Sequence, residues 1–252
     1  MKTKLPTTFH ELYDSCLYVS IINAVWSIRN PLVSYAQSWD GINYCFQEGS
    51  SRGTISFDQS NGILAGASME TKSNRIGWYP DFTALQLFDE APEDIKSLAA
   101  NMTLQYLFET IYDSSTPTKQ VGLLGRISKK ATAFEPAVMP VATTALWSDG
   151  NTVVTSDSIE DFNDHGGRFI LEIMLPIDEL RHIQATLNEM LPEELELSDL
   201  LYELKKDGES SVNKSSIPLL SQAQTVMVNM KPTSGEAEFI KSMSAIGIEV
   251  VG

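Results

Sequence analysis

Gly53-Thr-Ile-Ser-Phe57-Asp-Gln-Ser60-Asn-Gly62-Ile-Leu-Ala-Gly-Ala-Ser-Met69 holds two strand-like runs around a turn. In the first run Ile55 and Phe57 alternate with Thr54 and Ser56, the period-two pattern of a strand with one buried face. Ser60-Asn61-Gly62 supplies residues that tolerate positive φ, so a hairpin closes there and Ile63 to Met69 returns. Upstream, Trp39-Asp40-Gly41 marks a turn and Ile42 to Gln47 reads as another short strand. Downstream, Phe82 to Phe88 (Phe82, Ala84, Leu85, Leu87) is expected to pair with them. Val141 to Trp147 and Thr152 to Thr155 bracket Asp149-Gly150, a second hairpin signal. Phe169 to Leu175 is a nearly continuous apolar run, expected as a central strand.

Helical signals surround this β-rich region. Thr8-Phe-His-Glu11 fits a capping box, and the helix it opens runs to about Arg29, ahead of Pro31. Its polar residues change face midway, from Glu11, Asp14 and Ser15 to Ser20, Asn23 and Ser27. That predicts a kinked or deeply buried helix, with a strand over Leu17 to Trp26 as the rival. Pro92-Glu93-Asp94 opens a second helix, with Ile95, Leu98, Met102 and Tyr106 on one face and Leu104, Leu107, Phe108 and Ile111 widening it. Asp113 to Lys119 reads as a loop. Ser158 to Asp164 is a short helical turn stopped by Gly166-Gly167. Pro176 and Pro192 each start a helix, the second ended by Gly208.

Glu209 to Ser216 is polar and reads as a linker. The tail predicts a strand over Thr225 to Met230 and a capping box at Thr233-Ser-Gly-Glu236. Its helix is ended by Gly247, and Ile248 to Val251 closes the chain as a strand. The order of elements predicts an α+β protein with a mixed, mainly antiparallel sheet and helices packed against it. Residues 1–175 form the expected core with two hairpins. Residues 176–252 form a helical pair and a terminal β-α-β unit, either a subdomain or part of the same domain.

The 252 residues are 42% apolar and 20% charged, a globular composition. Lys+Arg is 18 and Asp+Glu is 33, a net charge of −15. This lacks the basic footprint of a nucleic-acid binder and would be repelled by an anionic membrane. The most apolar stretch, Cys16 to Ile28, is interrupted by Ser20, Asn23 and Ser27 and is too short to span a bilayer. Cys16 and Cys45 are the only cysteines, which predicts two reduced thiols in a cytoplasmic protein. The sequons at Asn101 and Asn213 then go unused.

The acids are unevenly placed. From Asp149 to Glu209 there are sixteen acids and four bases (Arg168, Arg181, Lys205, Lys206), so 16 − 4 leaves −12 of the total −15 in this stretch. If those side chains share a face, their field steers a basic protein partner. The solvated alternative is an acidic helix pair that keeps the chain soluble. The candidate partner-binding residues are Glu160, Asp161, Asp164, Glu193, Glu194, Glu196 and Asp199. To these are added Trp39, Asn74, Arg75 and Trp78, since aromatics beside an arginine in turns can anchor a partner.

Catalytic and metal signals are thin. Gly49-Ser-Ser51-Arg-Gly53 satisfies G-x-S-x-G, with Asp149, Asp157, His165 and His182 downstream in hydrolase order. A nucleophile elbow needs a helix after the serine, and a strand follows here, so a plain hairpin turn is favoured. Asp161-Phe-Asn-Asp-His165-Gly166 with Glu172 mimics a calcium loop, but His165 and Arg168 occupy unsuitable positions and a strand is expected next. The three histidines form no His-x-x-x-His pair and the cysteines no Cys-x-x-Cys, so no metal, cofactor or catalytic residue is assigned. Gly122-Leu-Leu-Gly125-Arg126 has too few glycines to cradle a phosphate.

Several phrases carry a resemblance: Trp39-Asp40-Gly41-Ile-Asn43-Tyr44, Gly53 to Phe57, Ser73-Asn74-Arg75, Ala91-Pro92-Glu93, Thr103 to Leu107, Trp147 and Ser156-Asp157-Ser158. Over about residues 39 to 165 the chain resembles uncharacterised bacterial proteins of immunity or accessory type. The resemblance implies no catalytic residues; an immunity-like role would imply stoichiometric binding to a toxin. The expectation is therefore a non-enzymatic acidic binding protein. The alternatives are a serine hydrolase using Ser51 and a structural or oligomer-forming module.

Overall fold

The computed structural model describes residues 2–79, 81–111 and 137–252. The loop expected at Asp113 to Lys119 and the Gly122 to Arg126 phrase lie outside them. In chain order the elements are β1 (Thr3–Thr8), α1 (Phe9–Ser27), β2 (Gln37–Trp39), β3 (Asn43–Glu48), β4 (Ser51–Asp58) and β5 (Ile63–Glu70). Then come α2 (Glu93–Asn101), β6 (Phe108–Ile111), β7 (Ala137–Pro140), β8 (Thr144–Asp149), β9 (Thr152–Thr155), α3 (Ile159–Phe162) and α4 (Arg168–Ile173). They end with α5 (Ile177–Leu187), α6 (Pro192–Lys206), β10 (Ser211–Asn213), β11 (Thr225–Val228), β12 (Lys231–Ser234), α7 (Gly235–Ile246) and β13 (Glu249–Val251).

The fold is α+β. Its main sheet has seven strands in the order β1-β9-β8-β5-β4-β3-β2, antiparallel throughout. Three two-stranded sheets accompany it: β6–β7 and β11–β12 antiparallel, and β10–β13 parallel. The β4–β5 hairpin closes at Asn61-Gly62, with Gly62 at φ +65°. The β8–β9 hairpin closes at Gly150 with φ +64°.

Strand alternation sorts the sheet into two packed faces. Tyr44, Phe46, Ile55, Phe57, Leu64, Leu146 and Val153 join α1 and α4–α7 in one large core. Ala65, Ala67, Ala145, Trp147 and Val154 point the other way, against Phe88, Ile95, Ala99, Leu104 and Leu107. Helix α1 is the hub of the larger core. Thr8 caps it through the reciprocal Thr8–Glu11 pair, and it packs against α4, α5, α6, α7, β1 and β2. Being covered on nearly every side, it shows no amphipathic stripe. Two of its polar residues are satisfied by its own backbone: the Ser20 hydroxyl donates to the Cys16 carbonyl at 2.7 Å, and Ser27 to Ala24 at 2.6 Å.

Five expectations are corrected. Phe82 to Phe88 is no strand; its last five residues form a 3-10 turn, Ala84–Phe88. The helix after Pro92 stops at Asn101, followed by a 3-10 turn over Thr103–Tyr106 and then by β6. Phe169 to Leu175 is largely helix α4, because Phe169, Ile170 and Ile173 bury one side while Arg168 pairs with Glu172 one turn on. Glu209 to Ser216 contains β10, anchored by pairing with β13 and by burial of Val212. Finally, Ser234 precedes α7 without a side-chain capping bond. There the chain turns tightly under α1 instead, and a Cβ on Gly235 would collide with the Ile28 carbonyl.

Candidate functional site

The acidic surface starts with α6, whose proline at the first helical position and acids in the first turn suit the positive end of the helix. Glu193, Glu196, Leu200, Glu203 and Asp207 are exposed, at spacings of three and four. They therefore form one stripe along the helix, opposite the buried Leu197, Ser198, Leu201 and Tyr202. Leu200 is 51% exposed at its centre. On α5, Asp178 and Glu179 are exposed, and Leu187 is exposed at its end. Glu160, Asp161 and Asp164 are exposed around α3, where Asp161 accepts from the Ser158 backbone-capping hydroxyl.

Two of the expected acids are engaged by the fold itself. Glu194 is 1% exposed and takes a bidentate grip from the Arg29 guanidinium, one arm at 2.7 Å, while its carboxylate also caps the backbone N–H of Leu191 at 2.8 Å. It is a structural link between α1 and α6, unavailable to a partner. Asp199 is half-buried, accepting from the Tyr18 hydroxyl at 2.7 Å and from Arg181 at 2.8 Å. Burial, then the bond to Asp199, raises the Tyr18 pKa. Trp39 is likewise corrected. It is 7% exposed and stacks on Phe57 at 5.9 Å, edge-on to Tyr13, within the core.

Asn74, Arg75 and Trp78 sit on the 3-10 turn Asn74–Trp78, which Ser73 caps by accepting from the Arg75 N–H. Asn74 and Trp78 are exposed, but Arg75 is locked. Its guanidinium pairs with Asp157 at 2.9 Å, donates to the Thr143 carbonyl at 2.8 Å and lies 5.2 Å from the centre of the Trp78 ring. The Ser73 hydroxyl also lies 2.8 Å from His165 Nδ1. His165 occupies the irregular segment between α3 and α4, beside Gly166 at φ +106°. Burial and the neighbouring Arg75 hold its pKa below the usual histidine value. No pattern in the sequence points to this Ser73–His165 contact, which joins residues 92 positions apart.

Ser51 lies at the start of β4, opposite Glu48 across the turn at Gly49. Its hydroxyl donates to Glu70 at 2.6 Å, and Ser50 donates to the same oxygen at 3.0 Å. His165 is engaged with Ser73 and His182 is exposed on α5, so no histidine hydrogen-bonds to Ser51 among the described residues, and the group that accepts from its hydroxyl is the Glu70 carboxylate. The calcium-like phrase fails for a different reason from the one expected. A helix does follow it, but its first half is itself helical, and no three His, Cys, Asp or Glu side chains converge to hold a metal among the described residues.

Two clefts flank β2. On the α1 side, a cavity of about 70 Å³ is lined by Ser20, Asn23, Gln37, Ser38, Trp39 and α7 residues including Glu238 and Lys241. Ser20 and Asn23 of α1 thus face this space. On the opposite side, an open cleft of about 180 Å³ lies over β2, β3 and β4. Its lining includes Gln37, Ser38, Cys45, Gln47, Arg52, Thr54 and Tyr106. The Tyr106 hydroxyl donates to Asp40, and that bond, then burial, pushes its pKa up to about 12. No helix among the described residues is long and apolar enough to cross a membrane. No family model, curated protein or solved structure matches the chain.

Proposed function

We propose that this protein is a non-enzymatic binding module that docks a basic protein partner, of which a toxin is one kind, on the acidic face of α5 and α6. The observation that carries this is the α6 stripe, where four exposed carboxylates flank the exposed Leu200 along one side. A desolvated apolar centre with a charged rim is the usual composition of a protein interface, and rim charges act mainly on the rate of encounter. The engagement of Glu194 by Arg29, and of Asp199 by Tyr18 and Arg181, narrows the surface to Glu193, Glu196, Leu200, Glu203 and Asp207.

The test is retention of a basic protein from native lysate by the tagged chain at low and high salt, repeated with Glu193→Gln, Glu196→Gln, Glu203→Gln and Asp207→Asn combined. Removing Asp89 and Glu249 serves as the charge control. The expected result is retention that weakens with salt, is lost in the α6 variant and survives in the control. Retention indifferent to the α6 variant, or no basic protein retained at all, overturns the proposal.

A further inference from the structure

The cavity between α1, β2 and α7 holds an amide without a partner. Asn23 lines it, is 7% exposed and makes no hydrogen bond among the described residues. Unlike the indole nitrogens of Trp26 and Trp147, its amide is not closed off from open space. A polar side chain this buried normally finds its partner inside the fold, so Asn23 is left to find one in the cavity. Two neighbours in the lining are half engaged. The Ser20 hydroxyl donates to the Cys16 carbonyl, which leaves its oxygen as an acceptor. Gln37 Oε1 accepts from the Tyr44 hydroxyl at 3.0 Å, which leaves its N–H groups as donors.

Charge selects the ligand. Glu238 and Lys241 are the only charged side chains in the described lining. The Glu238 side chain is 15% exposed, whereas that of Lys241 is 77% exposed and reaches one carboxylate oxygen, Oε2, at 3.4 Å. A pair three residues apart on a helix with its cation in solvent is weak, so the shielded charge at the cavity is negative. Glu238 Oε1 accepts no hydrogen bond among the described residues. The lining thus supplies three acceptors, on Glu238, Asn23 and Ser20, and a primary ammonium group carries three N–H donors. The volume of about 70 Å³ exceeds several-fold the roughly 10–15 Å³ that admits one water, which suits a molecule of a few heavy atoms. We infer that this cavity binds a small primary alkylammonium ion, whose N–H groups donate to Glu238, Asn23 and Ser20. A hydroxyl beside the ammonium, as in ethanolamine, accepts from the Asn23 or Gln37 amide nitrogen. The inference stands apart from the acidic face of α5 and α6.

Trp39 lines the same cavity, so its indole N–H, one of four in the chain, reports on it. The experiment follows that signal in nitrogen–proton correlation spectra of the labelled chain, identified by its absence in Trp39→Phe. Methylammonium, ethylammonium and ethanolamine chlorides are titrated at millimolar concentrations. The comparisons are tetramethylammonium chloride, which has the charge without N–H donors, ethylene glycol, which is neutral, and sodium acetate, which brings an anion. At least one primary amine is expected to move the Trp39 signal saturably, and the comparisons are not. Glu238→Gln is expected to raise the dissociation constant about tenfold, by loss of a charge-assisted bond. Lys241→Ala removes a solvent-exposed competitor for the same carboxylate and is expected to leave binding intact or tighten it. No saturable movement with any primary amine means that water alone fills the cavity and overturns the assignment. An equal response to tetramethylammonium, ethylene glycol or acetate, binding unchanged in Glu238→Gln, or binding lost in Lys241→Ala overturns it as well.

Discussion

Met230 shows how a single backbone angle exposes a mismatch between residue and place. The β11–β12 hairpin turns through Asn229 and Met230, both at positive φ (48° and 65°), between the paired Val228 and Lys231. A two-residue turn of this hand favours Asn-Gly, and Met230 holds the position where glycine fits without strain. Its side chain is 92% exposed and gains no packing in return. Met230→Gly is therefore expected to stabilise the protein by about 0.5–1 kcal/mol, read as a higher urea midpoint with unchanged slope. At the same scale, Glu194 shows what was hidden in the sequence. Its acidic neighbours Glu193 and Glu196 are exposed, and only the approach of Arg29, 165 positions away, draws it inward. Trp39 is hidden for a similar reason, because a turn does not tell which way the strand that leads into it, here β2, points its side chains.

Among the elements, the segment from α3 to α4 joins most of the polar contacts at its corner of the sheet. His165 leaves helical geometry, its carbonyl accepts from Thr143 at 2.6 Å, and its ring meets Ser73. Arg75 faces it from the 3-10 turn, and Asp157, Asp161 and Asp164 from the approach to α3 and from the segment itself. Because burial and Arg75 lower its folded pKa below 6.5, the unfolded chain binds more protons in that window. The stability His165 contributes is thus fully present above about pH 6.5 and is lost as pH falls through the folded pKa. Asp14 and Glu48, raised by burial, act with the opposite sign at lower pH and are common to wild type and variant. His165→Asn should flatten the fall in unfolding free energy on acidification from about pH 6.5, measured by denaturant titration at each pH. Much at this scale was legible. Asn61-Gly62, Asp149-Gly150, the Thr8 capping box and the two helix-starting prolines each fix a local geometry. Phe169 to Leu175 was not, since a continuous apolar run fits a buried strand and a buried helix alike. The Arg168–Glu172 spacing was the signal that favoured helix.

The molecule as a whole is a sheet covered on both faces, with its excess negative charge concentrated on the helices of one side. Mutual repulsion among those carboxylates opposes the compact state and is screened within about 10 Å at 0.1 M salt. Raising sodium chloride should therefore raise the melting temperature, and neutralising Glu193, Glu196, Glu203 and Asp207 should reduce that salt response, both visible by calorimetry. The α+β class was legible from the order of elements, as was the concentration of acids. The two clefts beside β2 were not, because their walls come from segments far apart in the chain. The central place of α1 has a further consequence, in time. This helix is made before most of what covers it, and the surfaces that do so include α7, whose last residue stands about 220 positions later. At a synthesis rate of roughly 5–20 residues per second, α1 waits on the order of 10–40 s on the ribosome before its final partner emerges. During that interval the face of α1 that α7 covers is without its partner, so the growing chain carries more exposed apolar surface than the finished fold does.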